Sequence, residues 1–168
     1  MSYTQIEENE TKQFKAKILW PNVFIISTLH ITALYGFYLF LFWAKWQTIG
    51  FTLVLYVLSG LGVTAGSHRL WSHRSYKAKL PLRILLAAFH TIACQRDIYE
   101  WSHDHRIHHK YSETDSDPHN VRRGFFFAHV GWLLLDRHPK VIEKKKLINC
   151  NDLLSDPVVY YQRKQVVS

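Results

Sequence analysis

The chain has 168 residues, enough for one domain, of which 48% are hydrophobic, 15% aromatic and 20% charged, with a formal net charge of +8. The mean hydropathy of −0.13 resembles that of a soluble protein only because the two kinds of residue are segregated along the chain. Two cysteines, Cys94 and Cys150, match no metal-ligand spacing and exclude a disulfide scaffold. The basic balance is explained by topology and by an anionic headgroup or substrate, so no nucleic-acid partner is implied.

Residues 1–17 are polar and form a cytosolic tail, and no cleavable signal peptide is evident. Residues 18–44 contain no Asp, Glu, Lys or Arg, and neither do residues 46–67; Lys45 alone separates the two runs. A hydrocarbon core of about 30 Å needs about 20 apolar residues in a helix, so each run is long enough to cross it. The competing reading is a pair of buried core helices in a soluble bundle, which needs more surrounding protein than this chain offers. The expected spans are about 23–44 and 47–67, joined by a short link with Trp43 and Trp46 at the membrane interface. Pro21 fits the first turn of the first helix. Three Lys and three Glu precede Val23, so nearly all the net positive charge falls beyond residue 67. Both termini are therefore expected on the cytosolic side.

His68 and His73 stand at the mouth of the second span. On an ideal α-helix residues five apart point about 140° away from each other, so they converge only if the helix ends or bends between them. Residues 82–94 form an apolar segment too short to span. A polar helix follows from about 97 to 111. Within it His105, His108 and His109 share one face, extended upstream by Ile98 and Trp101, and this stripe is expected to point into protein. Neutral imidazoles in such a cluster are good ligands for iron, zinc or copper. Glu113, Asp117, His119 and Asn120 follow in a polar loop and are candidates to accept the second N–H of a ligating imidazole. His30 lies in the first span and is expected to bond to a neighbouring helix. His90, His129 and His138 have no partner at ligand spacing and are assigned to structure. Residues 125–135 form another short apolar stretch, and the end of the chain is basic and polar.

The runs Thr64-Ala65-Gly66-Ser67-His68-Arg69-Leu70-Trp71-Ser72-His73-Arg74-Ser75-Tyr76-Lys77-Ala78 and Asp104-His105-Arg106-Ile107-His108-His109-Lys110-Tyr111-Ser112-Glu113-Thr114-Asp115 resemble the membrane fatty acyl-CoA desaturases of the animal Δ9 (stearoyl-CoA) type. Asp117-Pro118-His119-Asn120 and His129-Val130-Gly131-Trp132-Leu133-Leu134 carry the likeness further, and it extends from about residue 18 to 164. The resemblance implies an all-α membrane protein: here one transmembrane hairpin (18–67) plus cytosolic helices bearing histidine boxes (68–168). It implies insertion of a cis double bond into a fatty acyl-CoA with O2, a di-iron centre and electrons from cytochrome b5, in the endoplasmic reticulum membrane. By the same carry-over His68, His73, His105 and His109 match ligands of one iron and His108 a ligand of the other. Asn22, Asp104 and Arg137 match contacts to the acyl-CoA headgroup, Trp101 lies near the metal helix, and no catalytic residue is implied beyond the metal ligands.

Three positions depart from the pattern: Arg96 where the family has Asn, His103 where it has Arg, and Asp136 where it has a basic residue. An acid in place of a base turns attraction for a phosphate into repulsion. The family is also about twice as long, with a second hairpin and a third box of the form His-Asn-x-x-His-His. The chain is accordingly read as an incomplete, inactive form expected to hold at most one iron. The alternative is a non-catalytic membrane protein that binds a single metal, or associates with a full-length desaturase in a homo- or hetero-oligomer. A histidine-box hydroxylase is disfavoured by the run from Trp71 to Ala78.

Overall fold

A computed structural model describes residues 14–167. Most of the expected tail, residues 1–13, lies outside the described residues. The chain is all-helical among the described residues, with one isolated antiparallel bridge, Ile18 to Leu135. Its helices are α1 (Trp20–Phe42), α2 (Trp46–Leu61), a π-wound segment (Gly62–Ser72), α3 (Leu80–Ile92), α4 (Ile98–Tyr111), a 3-10 turn (Val121–Arg123), a π turn (Phe127–Gly131) running into α5 (Trp132–Leu134), α6 (Pro139–Lys145), α7 (Asn151–Leu154) and α8 (Pro157–Val167).

Two helices are long and apolar enough to cross a membrane: α1, and α2 continued through the π segment, Trp46–Ser72. Both start earlier than the sequence spacing suggests, and the second runs on to Ser72, so that His68 lies inside the helix. Their side chains answer the soluble-bundle alternative. No residue of α1 is buried, and Phe24 and Leu34 are 74% and 72% exposed. Water would not tolerate so continuous an apolar surface, whereas lipid would. His30 does not reach a neighbouring helix: its Nδ1 lies 2.8 Å from the Ile26 carbonyl, one turn back on its own helix. The i−4 carbonyl is always in reach, so the polar ring is satisfied without a second helix.

The chain divides into two compact units. One contains residues 34–106 and 148–168. Its core gathers Leu70, Trp71, Leu86, Ala87, Ile98, Cys150, Leu153 and Val159 from the π segment, α3, α4 and the last two helices. Gly62 lies directly on the backbone of α3: an added Cβ would stand 2.2 Å from the His90 nitrogen and 2.3 Å from the Phe89 carbonyl carbon. The terminal segment, basic and polar in sequence, folds into α7 and α8 because it supplies Leu153 and Val159, each 1% exposed, to this core. Asp152 ties α7 to α4 and to the end of the π segment. Its carboxylate takes two bonds from Arg106, at 2.9 and 2.7 Å, and two from Arg74, at 3.0 and 2.7 Å. Burial alone would raise the Asp152 pKa, but the two guanidiniums outweigh it and hold the group at about 2. Arg106 also donates to the carbonyls of Trp71, at 2.6 Å, and Ser72, at 3.3 Å, where the π segment ends.

The other unit contains residues up to 33 together with 107–147. The segment before α1 pairs with the segment after α5. Leu19 N–H donates to the Leu134 carbonyl at 2.8 Å, and Asp136 N–H donates to the Lys17 carbonyl at 2.9 Å. Lys17 N–H in turn donates to the Asp136 carboxylate at 2.6 Å. Asn22 closes the same join through Nδ2 to the Leu133 carbonyl at 2.7 Å.

Gly62→Ala is expected to lower the thermal midpoint of the micelle-solubilised protein by the equivalent of about 3 kcal/mol or more, because backbone cannot yield as a side chain would. Asp152 behaves as a carboxylate with a depressed folded pKa. Its contribution is complete above about pH 4, the unfolded value, and is lost as pH falls through about 2. Asp152→Asn should therefore destabilise the protein at neutral pH by about 2 kcal/mol and flatten its acid-unfolding curve between those limits. A variant with an unchanged acid limb would show that the clamp contributes nothing.

Candidate metal centre

The spacing of His68 and His73 is resolved by the π winding. In this geometry the hydrogen bond closes between residues five apart, so residues i and i+5 stack along the helix instead of diverging. His73 N–H donates to the His68 carbonyl at 3.0 Å, and Ser72 Oγ donates to the Ser67 carbonyl at 2.6 Å. The two rings lie with centroids 4.6 Å apart, edge to face. The helix also ends between them, as the spacing required, with Ser72 its last residue. His73 itself caps the segment, and Arg74 at φ 52° turns the chain away.

α4 delivers His105 to the same place. Its ring centroid is 4.6 Å from that of His68 and 5.0 Å from that of His73. Nε2 of His73 and Nε2 of His105 face each other at 3.0 Å. Two protonated imidazoles would repel there. One cation with bonds of about 2.1 Å would hold its ligand atoms about 3.0–3.4 Å apart, so the pair fits a metal. The ligand atoms of His68, His73 and His105 all lie within 4.8 Å of one another. Trp101 stacks on His105 at 4.9 Å and 25°, and its Nε1 donates to Gln95 Oε1 at 3.0 Å. The tryptophan thus fixes the imidazole plane. His109 follows one turn after His105 on α4, on the same face.

The expectation that this histidine face points into protein is corrected. The buried residues of α4 are Ile98, Ser102, His103, Asp104 and Ile107, whereas His105 and His108 are half-buried and His109 is exposed. Ile98 enters the core and Ser102 Oγ donates to the Ser67 carbonyl at 3.3 Å, while His105 and His108 stay half-buried and open to a ligand.

Three further histidines keep the structural roles expected of them. His90 is fully buried, with Nδ1 2.8 Å from Ser67 Oγ. Burial lowers its pKa, only partly offset by the Arg96 backbone and the Asp97 carboxylate, so the ring is held neutral. His129 stacks on Phe125 at 5.5 Å. His138 caps α6 by accepting from Lys140 N–H at 3.2 Å, and burial pushes its pKa down.

In the unit containing residues 107–147, His108 Nδ1 lies 2.9 Å from Asp117 Oδ1. His119 Nδ1 lies 3.5 Å from the same oxygen. Asp117 is 4% exposed and is held by backbone donors, Glu113 N–H at 3.0 Å and His119 N–H at 3.1 Å. Glu113 supplies its N–H from a left-handed conformation, φ 60°, and its own carboxylate meets Arg122 at 3.4 Å. Asn120 does not join the imidazoles. Its Nδ2 donates to the Thr114 carbonyl at 2.9 Å and its Oδ1 accepts from Arg122 N–H, closing the loop.

The residues expected at a substrate headgroup have partners of their own. Asp104, 6% exposed, is 3.5 Å from Arg96, and Asn22 is engaged by Leu133 as described above. Arg137 is half-buried beside the Lys17–Asp136 join. His103 lies against Tyr99, ring centroids 5.5 Å apart. The role of Asp152 in carrying α4 was invisible to motif reading, because an acid 46 positions beyond its arginine has no spacing signal.

No protein-family model matches the chain. It is 54% identical over 158 residues to a Δ9 fatty-acid desaturase of Caenorhabditis elegans, covering 94% of this chain and 47% of that protein. It is 59% identical over 147 residues to stearoyl-CoA desaturase 5 of Bos taurus, covering 88% of this chain and 44% of that protein. Against stearoyl-CoA desaturase 5 of Homo sapiens the figures are 57% over 150 residues, 89% and 45%. The chain thus spans about half the length of the curated relatives it matches. With two helices long and apolar enough for a bilayer and a cluster of imidazoles that could hold a metal ion, it belongs to the membrane fatty acyl-CoA desaturase family, of the Δ9 type.

Proposed function

We propose that these residues form the part of a Δ9 acyl-CoA desaturase that contributes a transmembrane hairpin and most of the ligands of one iron. The convergence of His68, His73 and His105 carries this reading, because π winding and a separate helix bring three imidazoles to one point with no other evident purpose. His109 is the fourth ligand, one turn along α4 from His105. His108 belongs to the second iron. Bound there, iron and O2 supply the oxidising power to remove hydrogen from an unactivated C–H bond, a task no side chain of this chain can perform.

The protein's own residues position the site. Trp101 holds the plane of His105, and the Arg106–Asp152 clamp fixes α4 against the end of the π segment. Asn22, Asp104 and Arg137 are the contacts proposed for the headgroup of a fatty acyl-CoA. Asp104 is partly neutralised by Arg96, and the Asp136 carboxylate is turned to Lys17 N–H, so the acid at that position need not face a phosphate. The setting is the endoplasmic reticulum membrane, with the hairpin at 18–67, residues 68–168 cytosolic, both termini on that side, and cytochrome b5 as electron donor. On the histidines assigned by resemblance, one iron has four ligands here and the other has one. The 168 residues by themselves are therefore proposed not to desaturate.

Expression in a desaturase-deficient yeast tests that statement: no growth without unsaturated fatty acid is expected, and growth would refute it. His105→Ala should lower affinity for ferrous ion at least tenfold, read by equilibrium dialysis of the micelle-solubilised chain, with helix content by circular dichroism unchanged. Equal affinity in the variant would remove His105 from the ligand set.

A further inference from the structure

Away from the histidines, the segment Val121-Arg122-Arg123-Gly124-Phe125-Phe126 sets two adjacent arginines beside two adjacent phenylalanines at one exposed tip. Phe125 and Phe126 are 81% and 66% exposed. We propose that this tip is a peripheral membrane contact: the two rings enter the headgroup boundary of the bilayer near the start of α1, and Arg122 and Arg123 bind anionic lipid headgroups. The proposal rests on the reading of α1 as a transmembrane span and adds a lipid contact outside the hairpin.

The rings are held in place although they face outward. Phe125 stacks on His129, centroids 5.5 Å apart and planes 7° from parallel. Phe126 lies against Gly131, where an added Cβ would stand 3.2 Å from its ring. Phe127 is buried, with the Arg123 guanidinium 3.6 Å from its ring centre. One aromatic therefore roots the tip while two project from it. Gly124, at φ 96°, turns the chain between the Val121–Arg123 turn and the helix that follows, a conformation that favours glycine. Rings already fixed in this way lose little conformational freedom on entering lipid.

Position, size and charge all favour lipid over a protein partner. The backbone is helical throughout 125–134, which at about 1.5 Å per residue puts the tip within about 15 Å of the far end of that run. The far end is tied to the start of α1: the Leu133 carbonyl accepts from Asn22 Nδ2 and the Leu134 carbonyl from Leu19 N–H, all within one compact unit. Two phenylalanine rings bury about 300–500 Å², well short of the about 800 Å² per partner of a stable protein interface. For a unit that α1 already holds at the bilayer, a small contact acts at high effective concentration and is enough. The cytosolic leaflet is anionic, and a guanidinium binds phosphate through two parallel N–H bonds. The pair of Arg122 with Glu113, at 3.4 Å, is open to water on both sides, so the arginine exchanges it for a lipid phosphate with little loss.

A nitroxide at the tip reads its depth. Phe125→Cys is made in the full chain with the exposed Cys94 changed to Ser and the buried Cys150 left in place. The protein is spin-labelled and placed one copy per nanodisc of mixed phosphatidylcholine and phosphatidylserine. Relaxation by oxygen, which partitions into lipid, is compared with relaxation by a water-soluble nickel chelate. The label is expected about 5–10 Å below the phosphates. A label at Leu29→Cys, within α1, is expected deeper, and one at Glu143→Cys in water. If position 125 reads as aqueous while Leu29→Cys reads as lipid, the proposal is overturned and the span stands. If Leu29→Cys reads as aqueous, the span itself fails and the proposal with it. A label at 125 shielded from both reagents lies against protein and overturns the proposal equally. Because Phe125→Cys removes one ring, Val121→Cys is labelled as well, with both rings present. Phe125→Glu/Phe126→Glu should move that label outward into water, with helix content by circular dichroism unchanged, and no movement would sink the proposal. The Val121→Cys label should also lie deeper in the mixed lipid than in phosphatidylcholine alone, a difference that Arg122→Gln/Arg123→Gln abolishes. Equal depth in the two lipids would overturn the role given to the arginines.

Discussion

The five-residue hydrogen-bond register between Gly62 and Ser72 is the constraint on which the first site depends. In the usual four-residue register His68 and His73 would diverge. Wound as a π segment, the same residues stack. This winding is less favourable than an ordinary helix and persists only where its surroundings hold it. The Ser67 carbonyl, displaced from the ordinary ladder, accepts from Ser72 Oγ and from Ser102 Oγ. Gly62 lets the segment lie on the backbone of α3 at its start, and Arg106 grips the Trp71 and Ser72 carbonyls at its end.

Arg106 links this local geometry to the rest of its unit. One guanidinium satisfies the carbonyls where the π segment stops, pairs with a carboxylate on α7, and stands next to His105 in sequence. The clamp therefore ties the orientation of α4 to the segment that presents His68 and His73. The last helices, which read as a polar tail, bear on the candidate site through two acids: Asp152, and Asp156, which accepts from Trp71 Nε1 of the π segment at 3.1 Å. The polar network is half-buried and fully engaged, the condition under which charged pairs specify a geometry instead of weakening a core.

The two histidine groups differ in chemical character. The first is all imidazole, steadied by an aromatic face at Trp101. The second mixes two imidazoles with a buried carboxylate that is itself held by backbone N–H groups. Imidazole donors and a mixed nitrogen–oxygen set are both compatible with iron, and neither group includes a cysteine: Cys94 and Cys150 form no disulfide and lie outside both.

Much of the helical layout was legible in the sequence. Two charge-free runs separated by Lys45 can hardly be anything but long apolar helices, and i, i+3, i+4 spacing places His105, His108 and His109 on one face whatever surrounds them. Composition and periodicity are properties of the chain itself, so they survive without knowledge of the fold. Tertiary structure alone decided the rest. The winding that aligns His68 with His73 depends on partners at Ser102 and Arg106, distant in sequence. The open side of α4 was set by where its unit packed against it, at Ile98 and Ser102. The return of Asp117 and His119 to His108 depends on how one loop closes on Glu113 and Asn120. Each of these is a choice between backbone geometries that local sequence leaves nearly equal in energy, and contacts between distant residues settled it.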